Sequence, residues 1–190
     1  MDTPPARIRG THIAVWGHSG SGKSTLAREL GGRIGLPVAE LDALFHTNPN
    51  WVDASREEFR ANVTAFMDAN PAGWVIEGNY HSMVGDLIRE RTETVVWLRL
   101  PFRVVYPRLA WRTVARSFTH AELWGGNRES LKQTFLTKDS MLVWGFASWR
   151  ATPRKAEAAK LLLPKGTRVI SLRSTPAVQR LLDTVKPALT

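Results

Sequence analysis

The sequence of 190 residues contains no cysteine. This excludes disulfides, zinc–thiolate sites and a cysteine nucleophile, and it fits a reducing compartment. No apolar run approaches the length of a membrane span, and Met1–Pro5 has no apolar core like that of a signal peptide. The sequence also lacks internal repeats and low-complexity segments. We therefore expect a cytoplasmic protein that does not associate with membranes, folded as a single domain over residues 1–190.

Acidic residues are scarce in the second half of the chain. Residues 1–95 carry 9 Lys and Arg against 12 Asp and Glu, whereas residues 96–190 carry 17 against 5. The formal net charge of +9 therefore arises in the second half. A basic surface indicates a polyanionic partner, either the phosphates of a nucleotide or nucleic acid. For most of these residues, a solvated basic face is the simpler interpretation.

The segment from Gly17 to Ser24 reads GHSGSGKS and matches the phosphate-loop pattern G-x-x-x-x-G-K-[ST] at every fixed position. Glycines let successive backbone N–H groups turn toward phosphate oxygens. Lys23 is expected to reach the β- and γ-phosphates, and the Ser24 hydroxyl is expected to ligate Mg²⁺. The pattern predicts that ATP and Mg²⁺ are bound by Gly17, Ser19, Gly20, Ser21, Gly22, Lys23, Ser24 and Thr25.

The flanks of this loop support the prediction. Residues 8–16 are typical of a strand and residues 25–34 of a helix, which is the order that a phosphate loop requires. Further strands are predicted at 37–41, 74–77, 94–100 and 168–172, separated by helical segments. This alternation predicts a three-layer α/β fold with a five-stranded parallel sheet flanked by helices. Ligands of such sheets bind at the carboxyl ends of the strands.

Two carboxylates are expected at that edge of the sheet. Asp42 follows the second predicted strand, and Glu77 ends the third. They could hold Mg²⁺ through water, or orient or deprotonate an acceptor hydroxyl. Asp42 could instead be only a turn residue. Glu77 lies between Ile76 and Gly78, so its charge should need a partner.

Three arginines share one face of a predicted helix over 101–118. Arg108, Arg112 and Arg116 are spaced i, i+4 and i+8, and their like charges repel unless anions satisfy them. Arginines commonly clamp the charge that develops on a transferred phosphoryl group. We therefore predict catalytic roles for Arg112 and Arg116, beside Lys23, Glu77 and Asp42. The alternative is a solvated basic helix.

Together these segments resemble the nucleoside-monophosphate-kinase-like branch of the P-loop proteins, and most closely the adenylate-kinase-related group often labelled topology modulation protein. The resemblance rests on residues 17–25, 41–45, 74–80 and 98–101 and on the three arginines. It implies that Glu77 takes the acidic position after strand three. It also implies a short lid over about 112–130 containing Arg112, Arg116 and Arg128. Residues 42–54, where an acceptor would bind, match the family poorly.

Two functions follow from these features. The favoured one is an ATP-dependent phosphotransferase that moves the γ-phosphoryl group of Mg-ATP to a nucleoside monophosphate or another small hydroxyl or phosphate acceptor. The alternative is a nucleotide-responsive binding or regulatory protein that contacts nucleic acid. The sequence shows no helix-turn-helix or zinc module, so nucleic acid is not favoured. We expect a monomer or a weak dimer whose partners are a nucleotide and a small molecule.

Overall fold

The computed structural model describes residues 7–49, 52–119, 147–149 and 151–185, with side chains of the 102–119 helix described as far as residue 115. The described strands and helices alternate along the chain. In order they are β1 (His12–Gly17), α1 (Lys23–Ile34), β2 (Val38–Glu40), α2 (Leu41–Phe45), α3 (Arg56–Ala69), β3 (Trp74–Glu77), α4 (Gly85–Arg91), β4 (Thr94–Leu98), α5 (Phe102–Thr119), α6 (Ala151–Leu161), β5 (Arg168–Leu172) and α7 (Thr175–Thr184).

The strands form one parallel sheet in the order β2-β3-β1-β4-β5. Alternate residues of β1 enter two different cores, because successive side chains of a strand point to opposite faces. Ile13 and Val15 pack in one cluster, and Ala14 and Trp16 pack in the other. Helices cover both faces, as parallel sheets require. The three-layer α/β fold with a five-stranded parallel sheet is therefore confirmed.

The first strand begins later than predicted. Its pairing starts where His12 aligns with Trp74, rather than at Ile8. Gly10 precedes it with φ +68°, a left-handed conformation that interrupts an extended chain. Before this turn, Arg9 is held by a side chain instead of by strand pairing. The Thr94 hydroxyl accepts a hydrogen bond from the amide of Arg9 and donates one to its carbonyl.

The second strand ends earlier than predicted, and this corrects the expected position of Asp42. Residues 41–45 form α2 instead of a strand end followed by a loop. Leu41 is buried and packs against Gly78, where a Cβ would lie 2.8 Å from the Leu41 side chain. This packing turns the chain directly after Glu40. Asp42 consequently lies in the first turn of α2, where its negative charge stabilises the helix dipole.

The helix expected after Pro101 is continuous from Phe102 to Thr119, and Pro107 lies inside it without ending it. Residues 112–119 of the predicted lid belong to this helix. Residues 120–130, including Arg128, lie outside the described residues, so the lid stays a prediction. Within the described part of the chain, no helix is both long and apolar enough to cross a membrane.

Candidate active site

The phosphate loop joins the central strand β1 to α1, and its shape depends on two glycines. Gly20 and Gly22 have φ of +82° and +91°, which disfavour other residues. A Cβ at Gly20 would lie 2.9 Å from both Leu109 Cβ and Val105 O, so α5 packs tightly on this part of the loop. At Gly22, no described atom lies within 4 Å of a Cβ position. The loop is therefore open to a ligand at Gly22 and closed at Gly20.

The start of α1 offers an anion site beside this opening. The helix begins at Lys23, and no described side chain caps its first turn. Unpaired N–H groups and the helix dipole favour a negative charge there. The Ser21 hydroxyl is buried, and its Oγ has no hydrogen-bond partner among the described residues. An open cradle, free N–H groups and an unpaired hydroxyl fit a bound phosphate group.

Glu77 contacts two polar side chains of the loop. The Ser24 hydroxyl donates a 2.8 Å hydrogen bond to Glu77 Oε1, and Lys23 Nζ lies 3.7 Å from Oε2. The Glu77 side chain is only 2% exposed. Burial raises its pKa above the usual range, and the Lys23 charge and the Ser24 bond offset only part of this effect. The sequence predicted that the charge of Glu77 needs a partner, and Lys23 and Ser24 of the phosphate loop provide it.

Asp42 also lies at this edge, held by a residue that the sequence analysis did not single out. The Tyr80 hydroxyl donates a 2.8 Å hydrogen bond to Asp42 Oδ1. Asp42 is close enough to Glu77 for its negative charge to contribute to the raised pKa of that carboxyl. The structure therefore brings together the two carboxylates predicted from the sequence.

Asn79 is a second residue that the sequence analysis missed. Its amide oxygen accepts from Gly17 N at 3.3 Å, and its amide nitrogen donates to Gly17 O at 2.5 Å. A side-chain amide is suited to this role because it both accepts and donates. The position of Asn79, two residues beyond a strand that neighbours β1, was the available signal. Asn79 fixes the first residue of the loop.

The basic side chains lie on the other side of the loop. A cavity of about 400 Å³ is lined by residues 20–26 together with Arg28, Glu29, Leu98, Leu100, Arg108, Arg112, Thr175, Val178 and Leu182. Arg108 Nη2 donates a 3.2 Å hydrogen bond to Thr175 Oγ1, which links α5 to the start of α7. Arg108 and Arg112 thus face the same cavity as the loop. The side chain of Arg116 lies outside the described residues.

The strand order explains why the predicted carboxylates and the arginines lie on opposite sides of the loop. The loop follows the central strand. The carboxylates lie at the ends of β2 and β3 on one side, and the cavity with the arginines lies between the end of β4 and α7 on the other. A ligand anchored at the loop would therefore have Arg108 and Arg112 on one side and Asp42 and Glu77 on the other. Among the described residues, no three His, Cys, Asp or Glu side chains cluster as a metal-binding group.

Solved structures share this fold over nearly the whole chain. A sugar kinase from Janibacter sp. is 20% identical, with a TM-score of 0.50, over 95% of this chain and 100% of its own. A gluconokinase from Sinorhizobium meliloti is 19% identical, with a TM-score of 0.51, over 94% and 92%. A shikimate kinase from Bacteroides thetaiotaomicron is 15% identical, with a TM-score of 0.52, over 91% and 94%.

No protein-family model matches the sequence, and a search of curated proteins finds no significant match. The structural similarity, at identities of 15–20%, establishes the fold. The predicted resemblance is confirmed at that level: the chain has a P-loop kinase-like fold.

Proposed function

We propose that this protein is an ATP-dependent kinase that transfers the γ-phosphoryl group of Mg-ATP to a hydroxyl group of a small molecule. The observation that supports this proposal most strongly is the buried Glu77 carboxylate, which contacts Lys23 and Ser24 of the phosphate loop and lies near Asp42. A phosphate loop with carboxylates on one side and arginines on the other suits transfer between a polyanionic donor and a proton-bearing acceptor.

The donor side consists of the loop, the start of α1 and the arginine cavity. The open position at Gly22 and the free N–H groups of α1 would hold the terminal phosphates of ATP. Lys23 would contact the β- and γ-phosphates, and Arg112 would stabilise charge on the transferred group. Arg116 is proposed for the same role on its helical spacing alone. The 400 Å³ cavity would take the rest of the nucleotide.

The residues present also fit a magnesium ion. The Ser24 hydroxyl would be the protein ligand, and Glu77, 2.8 Å from it, would act through a bound water. Mg²⁺ keeps several waters and binds through few protein oxygens plus substrate phosphates, so a dense cluster of acidic side chains is not required. The ion would neutralise charge on the phosphate oxygens during transfer.

Asp42 is proposed to receive the proton of the acceptor. The acceptor oxygen forms a bond to the γ-phosphorus, and the bond between that phosphorus and the bridging oxygen breaks. ADP leaves with the electron pair of the broken bond. The hydroxyl proton passes to the Asp42 carboxylate and then to solvent.

The charges beside the loop favour a hydroxyl over a phosphate as the nucleophile. A phosphate monoester carries a charge of about −1.5 to −2 at neutral pH and would meet Asp42 and Glu77. A hydroxyl can instead donate a hydrogen bond to either carboxylate. The similar structures named as sugar kinase, gluconokinase and shikimate kinase support a small-molecule acceptor.

A screen of small hydroxyl compounds and nucleoside monophosphates with γ-³²P-labelled ATP tests the proposal. Wild type should label a hydroxyl compound, and Lys23→Ala should lose transfer about 100-fold or more while remaining folded. Lys160→Ala is the matched control, because Lys160 lies exposed on α6, and it should retain activity. Undiminished transfer by folded Lys23→Ala would contradict the proposal. Hydrolysis without any labelled acceptor, together with salt-resistant nucleic-acid binding, would favour the regulatory alternative.

A further inference from the structure

We propose that Tyr80 is a positioning residue of the acceptor site, whose hydroxyl holds the Asp42 carboxylate so that it faces the acceptor hydroxyl. This inference rests on the proposed function and adds to it a residue that acts through Asp42. The direct observation is the 2.8 Å hydrogen bond from Tyr80 Oη to Asp42 Oδ1.

The ring of Tyr80 is fixed by two other aromatic side chains. Its centroid lies 5.2 Å from that of Phe45, on α2, and 5.0 Å from that of Phe59, on α3. Phe45 and Phe59 are themselves 5.0 Å apart. Three rings in mutual contact leave the Tyr80 side chain little freedom, because edge and tilted contacts are directional. The hydroxyl is therefore held at a defined point rather than swinging with a flexible side chain.

The surroundings keep this hydroxyl a donor. Burial is the main cause that raises the pKa of Tyr80 far above its usual value, and the charges of Asp42, Asp53 and Glu77 act in the same direction. Tyr80 thus keeps its proton and donates a hydrogen bond to the Asp42 carboxylate. Asp53 is itself paired with a histidine, since His46 Nδ1 lies 2.8 Å from Asp53 Oδ1.

Holding one oxygen of Asp42 leaves the other for a ligand. Among the described residues, no hydrogen bond to Asp42 Oδ2 is present. A carboxylate can accept several hydrogen bonds, so Oδ2 retains its full capacity. Asp42 lies on the short helix α2, whose five residues alone would orient a side chain poorly. The bond from Tyr80 joins this helix to the chain segment that carries Glu77 and Asn79, so both carboxylates keep a fixed relation to the loop.

Tyr80→Phe tests the proposal, because it removes only the hydroxyl and preserves the ring contacts. We expect kcat/KM for the acceptor to fall about 10-fold while KM for ATP stays unchanged. Tyr106→Phe makes the same change in α5, where Tyr106 stacks on Phe102 at 4.8 Å, and should leave both constants unchanged.

A double-mutant cycle separates positioning from a general structural role. If Tyr80 acts through Asp42, Tyr80→Phe should cause no further loss in an Asp42→Asn background. Full additivity of the two losses would overturn the inference, as would an equal loss in the binding of ATP. An acceptor phosphorylated equally well by wild type and Tyr80→Phe would overturn this inference alone. If wild type phosphorylates no acceptor, the proposed function itself fails and the inference falls with it.

Discussion

Glu77→Gln should make the protein more stable and less active at the same time. Glu77 is 2% exposed and is held by Ser24 at 2.8 Å and Lys23 at 3.7 Å. Burial is the largest influence on its pKa and raises it, and the two partners compensate only in part. The ionised carboxylate is therefore less favourable in the folded protein than in water.

The sign of the pH dependence follows from this shift. Because the folded-state pKa lies above the unfolded one, the stability linked to Glu77 is fully present below the unfolded pKa and is lost as pH rises through the folded pKa. One pKa unit corresponds to about 1.4 kcal/mol. At pH 8 we expect the free energy of unfolding of Glu77→Gln to exceed that of wild type by on the order of 1 kcal/mol. At pH 4, just below the unfolded pKa, the difference should be small, because Glu77 is then largely protonated in both states.

Activity should change in the opposite direction. Gln can still accept from Ser24, but it offers no charge to Lys23 and no base to a bound water. We expect kcat/KM to fall about 100-fold, or about 2.7 kcal/mol in activation free energy. Urea unfolding at pH 8 and pH 4 and steady-state kinetics measure the two effects. The control is Glu157→Gln, a half-exposed residue paired with Arg99 at 3.2 Å, which should change the free energy of unfolding by less than about 0.5 kcal/mol. A Glu77→Gln protein that is less stable at pH 8, or equally active, would refute this reasoning.

Further predictions concern the loop and the residues around it. Gly20→Ala should lower the free energy of unfolding by about 3 kcal/mol because of its φ of +82° and its contact with α5. Gly22→Ala should lower the free energy of unfolding by only about 1 kcal/mol but weaken ATP binding more than about 10-fold. Gly32→Ala, inside α1, should raise the free energy of unfolding by about 1 kcal/mol. Urea unfolding measures the stabilities of these variants, and calorimetric titration measures their ATP binding. Asn79→Asp should raise KM for ATP about 10-fold, because it loses the donor to Gly17 O; an unchanged KM would show that Asn79 does not hold the loop. Burial, followed by nearby positive charges, lowers the pKa of His81 to about 4. Because the folded-state pKa lies below the unfolded one, the free energy of unfolding should fall by about 3 kcal/mol as the pH drops from 6.5 to 4. Urea unfolding over this pH range should show a flatter dependence for His81→Gln, and an equally steep loss would show that another group causes it.

The sequence predicted those parts of the site that follow from strand ends. Glu77 could be placed because Trp74–Glu77 is a short buried strand and the carboxyl ends of parallel strands meet at one edge. The phosphate loop could be placed because its pattern fixes both its residues and its neighbours. The five strands were found for the same reason, since buried parallel strands are short apolar runs.

The residues that hold these groups were not predictable in the same way. Tyr80 contacts Asp42 across 38 positions of sequence, and Asn79 contacts Gly17 across 62. Such contacts depend on how loops fold over the sheet, for which the sequence has no periodic signal. The prediction that Asp42 directly follows a strand was wrong for a related reason, because β2 ends at Glu40 and Asp42 lies in α2. The turn into α2 is set by the packing of Leu41 against Gly78, which is a tertiary contact.

The most direct test of the central claim is ³¹P NMR of a reaction that contains the protein, Mg-ATP and the acceptor found by the labelling screen. We expect ADP and a phosphate monoester of the acceptor to appear in equal amounts. Both signals should be lost with Lys23→Ala. Release of inorganic phosphate without a phosphate monoester, or a new diphosphate signal from a nucleoside monophosphate, would contradict transfer to a hydroxyl group.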